Sequence, residues 1–466
     1  MPHGDRDRQV HLDTAGLGRM PPAARAELTE WTRHEDRHGP HEVDEHVHHV
    51  VRPALDARLA ALLGAPAGET VLATGAADAF AALVPRLPLG PGDRVWTTPY
   101  EGVANLTVLT ALRDRARCRL EVVPLRPDGD LDLEWMAAHI DDDVALVSVA
   151  HVPAGCGIVT PVEDIGRVLA PYRCLYAVDA SYSVGQLPVD AGRIGCQLLT
   201  GDAWRFLRGP ESVGFAYASP ELRRALAPYG TGPLLPPEGA RVVALNAALA
   251  GQGPPAPAGD LAAGLRAAVE GTPGAELIAP GRVQSGIVTF RHAGMPAGRL
   301  RRALAARGVV VGKTVAQETP LYLPGRGVTA AVRVSVHHDN SARDAARFAH
   351  ALQEALAGRG HHAVPTAVRA ATPAPAPAPA RGHHAVPTAV RAATPAPAPA
   401  PAPAASAAGG GAAAAPAAGL RAVSAAPVPG AGAAGAAPAA RVPRPRRTAG
   451  RGHLTLVPAP APHGTA

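Results

Sequence analysis

The stretch that decides the fold of this chain is Thr200-Gly-Asp-Ala-Trp-Arg-Phe-Leu-Arg-Gly-Pro210, which continues as Glu-Ser-Val-Gly-Phe-Ala-Tyr217. At its centre stands Arg205, four residues before Gly209. A guanidinium stays protonated at any ordinary pH and has no free lone pair with which to attack an aldehyde. The stretch therefore places a permanent cation, and not a nucleophile, at this position.

Short apolar runs alternate with helical patterns through residues 1–245. Five runs have the length and composition of buried strands: 71–73, 94–97, 120–123, 145–149 and 175–178. The stretches 104–117 and 161–169 between them favour helices. This alternation predicts a mostly parallel sheet covered on both faces, so we expect a large α/β domain with an N-terminal arm over residues 1–245.

Residues 246–358 carry a different pattern, which predicts a smaller α+β domain. Its strand candidates are 287–290, 309–311 and 332–336. Helices are expected over 297–307 and over 342–356, the second with one apolar face. Residues 230–283 are rich in Gly and Pro and are expected to form a connection around one or two helices.

The remainder, residues 359–466, is rich in Ala and Pro and contains a 22-residue unit twice, as 359–380 and 381–402. Such a composition lacks core formers and predicts a disordered tail. The tail contains ten Arg and no Lys, Asp or Glu, so its net charge is +10. Residues 1–358 carry a net charge of −4, and the two parts together give the +6 of the whole chain. The duplication is either inert or a cationic spacer or partner-binding arm.

Composition also restricts compartment and partners. The four Cys form no CxxC pair, which is typical of a reducing cytoplasm, and the N-terminus leads into no apolar signal region. No uninterrupted apolar run is long enough for a membrane span. Because the basic balance lies in the tail, it does not indicate a specific nucleic-acid site. The acidic and His-rich stretch 41–49 favours an exposed helix over a metal site.

Five segments, in the same order along the chain, resemble motifs of class V aminotransferase-fold enzymes, which have the pyridoxal phosphate (PLP)-dependent fold type I. They are residues 11–18, 91–95, 178–190, 200–217 and 332–340. The last of them is most similar to the branch of hercynylcysteine sulfoxide lyases, selenocysteine lyases and isopenicillin N epimerase-like proteins. The resemblance covers residues 10–357 and implies a homodimer with its site between subunits.

The resemblance implies a site for PLP and assigns residues to it. Gly75, Ala76 and Ala77 correspond to the helix start that holds the phosphate, and Asp179 to the carboxylate that pairs with the pyridine nitrogen. Arg205 occupies the position of the lysine that forms the Schiff base. This replacement indicates that PLP is not held covalently there.

Several neighbouring positions also depart from the family pattern. Ala77 replaces a Thr, Gly102 an aromatic residue or His that stacks on the ring, and Ala154 an Asn. Tyr182 replaces a Gln, and Trp204 a His or Arg. Each change removes a hydrogen bond or a stacking contact with the cofactor.

Two basic residues keep a functional interpretation open. Arg333 corresponds to the arginine that grips a substrate carboxylate, so a small carboxylate ligand is expected if it does not serve a structural ion pair. Lys313 is the single lysine of the chain and a substitute for the missing one. In desulfurases the segment after it leads to the loop with the catalytic cysteine, where this chain has Val315 and Ala316.

Two hypotheses of function follow. In the first, the chain is a catalytically altered or non-catalytic member of the family, and an active homologue is then a candidate partner. In the second, it is a working PLP enzyme, a C–S lyase, desulfurase or aminotransferase acting on a small amino acid or sulfur-containing substrate. That enzyme would use Lys313 or non-covalently bound PLP.

Overall fold

The computed structural model describes residues 9–227, 237–253 and 259–357, together with the backbone of 454–455. The rest of the predicted tail 359–466, including both copies of the repeat, lies outside these residues. The strands of the described part are β1 Val10–Leu12, β2 Thr70–Ala73, β3 Arg94–Thr97, β4 Arg119–Val122, β5 Val144–Ala150, β6 Leu175–Asp179, β7 Leu198–Asp202, β8 Gly214–Ala218, β9 Ala275–Leu277, β10 Ile287–His292, β11 Val309–Val315, β12 Ala330–Ser335 and β13 Leu454–Thr455.

Helices connect most of these strands. They are α1 Pro22–His38, α2 Pro40–His46, α3 Arg52–Leu62, α4 Ala76–Leu83, α5 Val103–Ala116, α6 Leu133–His139, α7 Val162–Leu169, α8 Ala191–Ile194, α9 Pro220–Leu226, α10 Gly239–Ala250, α11 Gly259–Glu270, α12 Ala297–Ala305 and α13 Ala342–Ala357. Within the described residues, no helix is long and apolar enough to span a membrane.

The larger sheet has the strand order β13-β4-β3-β5-β6-β7-β8-β2. Its strands run parallel from β13 to β7, and β8 is antiparallel to both of its neighbours. The central strand β5 reads Val-Ala-Leu-Val-Ser-Val-Ala and is buried at every residue. Successive side chains of a strand point to opposite faces, so Leu146 joins one apolar cluster and Val147 another. Both faces of the sheet are therefore covered, as the sequence predicted.

The smaller sheet has the order β1-β11-β12-β10-β9. It packs with α11, α12 and α13 around a core that includes Phe290 and Phe348. Burial of each side chain of this size contributes about 2–3 kcal/mol to the free energy of folding. The N-terminal strand β1 pairs in parallel with β11, with Val10 opposite Val309. The N-terminal arm is thus part of the second sheet.

The α/β fold class is confirmed, and all eight strands predicted from the sequence exist with bounds shifted by a few residues. Strands β7 and β8, which flank the stretch with Arg205, were not predicted. The division into domains at residue 245 stays a prediction, and α10 runs across that boundary.

Candidate functional site

The carboxyl ends of the central parallel strands meet at one edge of the larger sheet. Ala150 ends β5 and lies opposite Asp179, which ends β6. Beside them β7 ends at Asp202. A cavity of about 190 Å³ opens at this edge. In open α/β sheets, ligands bind at the carboxyl ends of the strands, so this cavity is the candidate site.

Arg205 lines the cavity and is held in place by four groups. Its Nε donates to the Asp202 carboxylate at 2.9 Å, and its Nη1 donates to the carbonyl oxygen of Ala15 at 2.5 Å. The guanidinium carbon lies 4.2 Å from the centre of the Tyr182 ring and 5.5 Å from that of Trp204. Burial alone lowers the pKa of Arg205, but the neighbouring Tyr182 and Asp202 outweigh it and raise the pKa above its ordinary value. The guanidinium is therefore a fixed structural cation.

The helix start that was predicted to hold a phosphate contains a carboxylate of the chain itself. The backbone N–H of Ala76, the first residue of α4, donates to Oδ1 of Asp202 at 3.0 Å. Asp202 stands 9 % exposed, and its other oxygen pairs with Arg205. Nearby, the Thr74 hydroxyl donates to Asp78 in the first turn of α4 at 2.5 Å. Carboxylates stabilise the positive end of a helix, and this end already has two.

The residues that the resemblance assigns to the phosphate, Gly75, Ala76 and Ala77, lie at the edge of the cavity. Ala76 and Ala77 line it, and Gly75 lies directly before them. A methyl group on Gly75 would lie 3.4 Å from the Trp204 ring and 3.7 Å from Asp202. The indole and the carboxylate therefore close over the turn that precedes α4.

Arg333 reaches the site from the smaller sheet and is also engaged. It is buried in β12, and its Nη1 donates to the Glu318 carboxylate at 3.2 Å. Its Nη2 lies 3.9 Å from Oδ1 of Asp13, and the guanidinium carbon lies 5.8 Å from the centre of the Tyr182 ring. Both guanidiniums thus lie within 6 Å of the centre of the Tyr182 ring, a distance at which an aromatic ring attracts a cation.

Glu318 lines the cavity from the segment after β11, which the resemblance relates to the cysteine-bearing loop of desulfurases. It also accepts a hydrogen bond from the Thr314 hydroxyl at 3.1 Å. Thr314 is buried, whereas the adjacent Lys313 is exposed, as expected for neighbours on opposite faces of a strand. The side chain of Lys313 does not line the cavity.

Asp179 lines the cavity without an ion-pair partner among the described residues. It accepts a hydrogen bond from the backbone N–H of Ser181 at 2.9 Å. Burial raises the pKa of the Asp179 carboxyl, and the negative charge of Asp202 adds to the effect. The positive charge of Arg205 acts in the opposite direction and lowers this pKa.

A second carboxyl group, Glu101, is buried behind the cavity wall. It accepts hydrogen bonds from Ser148 at 2.8 Å and from Asn105 at 3.1 Å. Burial raises the pKa of Glu101 to about 7, and the charge of Asp179 contributes to the shift.

The loop with Arg205 is supported from two sides. Gly18 donates its backbone N–H to the Trp204 carbonyl at 2.8 Å, so the N-terminal arm closes over the loop. On the other side, His337 bridges the Phe206 carbonyl at 3.1 Å and Asp339 at 2.9 Å through its two ring nitrogens. The smaller sheet therefore fixes the backbone next to Arg205.

The structure brings most of the predicted site residues together, but not all of them. Arg205, Asp179, Tyr182, Ala76 and Ala77 line one cavity. Gly102 and Ala154 line it as well, and a methyl group on Gly102 would meet no atom within 4 Å, so the place of a stacking ring is open. Within the described residues, no group of three His, Cys, Asp or Glu could hold a metal ion.

Sequence reasoning missed Asp202, Glu318 and Glu101. Asp202 stands three residues before Arg205, and an acidic residue so close to an arginine was the available signal. No comparable signal identifies Glu318, which meets Arg333 only through the pairing of β11 with β12.

Comparison with known proteins agrees with the motifs. Residues 10–234 match the family model of class-V aminotransferases. A probable cysteine desulfurase of Methanothermobacter thermautotrophicus is 28% identical over 226 residues, which are 48% of this chain and 56% of that protein. The chain spans about half the length of the curated relatives it matches.

Solved structures show the same fold over a longer part of the chain. The cysteine desulfurase CsdA of Escherichia coli superposes with a TM-score of 0.67 at 20% identity, over 75% of this chain and 95% of that one. A C-DES mutant with glycine covalently linked to its PLP cofactor superposes with a TM-score of 0.63 at 16% identity, over 74% of this chain and 96% of that one. The fold is therefore that of the type I PLP-dependent enzymes, and the family-model match and the desulfurase relatives support the class V family.

Proposed function

We propose that this chain is a class V, fold-type I protein that does not perform lysine-dependent PLP catalysis. The observation that carries the proposal is the buried ion pair between Arg205 and Asp202. Its guanidinium replaces the amine of the Schiff base, and its carboxylate accepts the N–H at the start of α4. One internal pair thereby occupies two positions that the cofactor would need.

The class V match and a neighbour solved with PLP imply PLP as the cofactor of this family. The residues present here fit one part of it, since Asp179 lines the cavity where the ring nitrogen would bind. They do not fit its phosphate. A dianion at the start of α4 would meet the negative charges of Asp202 and Asp78, and two like charges 4 Å apart repel by about 4 kcal/mol near a protein surface.

The test is the absorbance of purified protein with added PLP, before and after borohydride, followed by peptide mass analysis. We expect no aldimine band and no reduced adduct in the wild type. Arg205→Lys alone is expected to stay negative, because the amine would pair with Asp202. Asp202→Ser combined with Arg205→Lys removes the competing charge and is expected to show the band. A wild-type band with an adduct at Lys313 would overturn the proposal, and Lys313→Arg is the matched control.

The second candidate is a PLP-dependent desulfurase, C–S lyase or aminotransferase. It is supported by the relatives' printed activity and by Asp179 in the cavity. Against it stands the exposed side chain of Lys313, outside the cavity lining. Sulfide release from cysteine or cystine in the presence of PLP tests it. Under the proposal, the wild type releases no more sulfide than free PLP does without protein. Sulfide release by the wild type that is lost in Lys313→Arg would favour this second candidate.

Partners and compartment stay proposals. The family resemblance supports a homodimer, an active homologue remains a candidate partner, and a cytoplasmic location is proposed from the Cys pattern. Light scattering of the purified chain, alone and mixed with a catalytic class V protein of the same cell, distinguishes the two assemblies.

A further inference from the structure

Strand β4 lies next to the edge of the larger sheet and is held in place by side chains on both of its faces. Glu121 in β4 accepts hydrogen bonds from Nη2 of Arg94 at 2.8 Å and from Nε1 of Trp96 at 2.9 Å, and both donors belong to β3. On the other face, Leu120 is fully buried in an apolar cluster that includes Leu109 of α5. These contacts fix β4 from β3 and α5, and none of them involves its outer side.

The backbone of β4 has hydrogen-bonding groups on the side away from β3. The N–H groups of Arg119 and Val123 donate to carbonyl oxygens on the β3 side at 2.9 and 2.8 Å. Because the backbone N–H groups of a strand point alternately to its two sides, those of Leu120 and Val122 point to the outer side. A row of such groups without a partner strand is a template for pairing with another chain, including a second copy. The outer side of β4 therefore needs a cover.

Backbone from residues 454–455 pairs with this outer side. The short strand β13 runs parallel to β4, with Leu454 opposite Leu120. It belongs to the run Leu454-Thr-Leu-Val457, the single run of four residues in 359–466 that is drawn only from Leu, Thr and Val. The rest of that part of the chain is mostly Ala, Pro and Gly, which are depleted in strands. The composition of the sequence and the pairing of the backbone therefore identify the same segment.

We propose that the outer side of β4 is a strand-binding site whose occupant is the segment with Leu454 and Thr455 of the same chain, and that this segment keeps β4 from pairing with a second copy. Main-chain hydrogen bonds give such a site its affinity, and it takes an extended segment. At about 3.3 Å per residue, the connection 358–453 reaches at most about 300 Å, so its length allows the pairing within one chain. The inference concerns a surface remote in the sheet order from β6 and β7, and it does not depend on the chemistry of the cavity.

The experiment is amide hydrogen exchange of the whole protein, read by mass analysis that resolves single amides of β4. The variant Leu454→Pro with Thr455→Pro removes two backbone N–H groups of β13, and proline is not tolerated within a paired strand. We expect the N–H of Val122, which points to the outer side, to exchange about tenfold faster in this variant than in the wild type. The N–H of Val123 donates to the β3 side and should keep its rate, so it is the internal reference.

The matched control is Ala422→Pro with Val423→Pro, which adds two prolines elsewhere in 359–466 and should leave the exchange of Val122 unchanged. Equal exchange of Val122 in the wild type and in the β13 variant would overturn the proposal. So would exchange of this amide in the wild type at the rate of an unpaired one, a result that needs no variant.

Light scattering of the same samples shows which chain supplies the strand. Under the proposal, the β13 variant has the molar mass of the wild type or a higher one, because an uncovered edge pairs with other copies. A lower molar mass in the β13 variant, with the control unchanged, would mean that a second copy supplies the strand and would overturn the proposal.

Discussion

The pair of Arg205 and Asp202 should make a large, measurable contribution to stability. Its side chains are 16% and 9% exposed, and the two atoms are 2.9 Å apart. Removing one partner of a buried pair costs about 3–5 kcal/mol, because the other charge stays buried without compensation. Arg205→Met also loses the contact with the Tyr182 ring, which contributes about 1–2 kcal/mol, and the hydrogen bond to Ala15.

The assay is a double-mutant cycle of Arg205→Met and Asp202→Asn, with the free energy of unfolding measured in denaturant at constant salt. We expect a coupling energy of about 2–3 kcal/mol, the upper part of the range for residues in contact. The matched control is the exposed pair of Arg224 and Glu221, which has nearly the same separation, 3.0 Å, with side chains 73% and 53% exposed. Its coupling should stay below about 1 kcal/mol. If the two cycles give equal couplings, the buried pair is not a structural replacement for the cofactor contacts.

Three further predictions concern groups around the cavity. The folded pKa of Glu101 is about 7 and that of an unfolded Glu is about 4.3, so the folded state binds the extra proton between these pH values. The free energy of unfolding should therefore fall by about 4 kcal/mol as the pH rises through this window. Glu101→Gln should remove that fall, and parallel pH profiles of unfolding for the two proteins would contradict it. Gly185→Ala should lower the free energy of unfolding by about 2 kcal/mol, because the φ of Gly185 is +91° and the new methyl would lie 2.6 Å from the Phe206 carbonyl oxygen. The control Gly195→Ala should cost less, because Gly195 has φ +72° but no atom within 4 Å of the new methyl. Equal melting temperatures of the two variants would refute this reasoning. His337→Ala should cost about 1–2 kcal/mol, because the Phe206 carbonyl loses the shorter of its two hydrogen bonds and keeps only the one from the Gln252 amide. An unchanged melting temperature would show that the His337 bridge is not needed.

Local sequence patterns predicted five strands of the larger sheet, β2 to β6, because each pattern is contained in a few consecutive residues. The run 145–149 consists mostly of β-branched and aliphatic side chains, and it forms the buried centre of β5. The stretch 104–117 predicted α5 to within one residue at each end. β7 was not predicted because its end, Gly201 and Asp202, lacks the apolar composition of the other strands.

The candidate site was predicted in part. Asp179, Tyr182 and Arg205 were identified by their places within motifs, and the structure groups them around one cavity. The role of Asp202 was not identified, because its contact with Ala76 joins residues 126 positions apart. Glu318 was missed for the same reason, since Arg333 reaches it from another strand.

The sequence by itself determined the class of fold, and it placed Arg205 where the resemblance expects the Schiff-base lysine, because apolar periodicity and residue identity are properties of short segments. Only the tertiary structure decided which groups surround Arg205 and Arg333. It brings Asp202 to the start of α4 and Glu318 to Arg333, and it places both guanidiniums within 6 Å of the Tyr182 ring centre. The physical reason is that electrostatic balance depends on distances between groups, and those distances are set by how the two sheets and their helices pack.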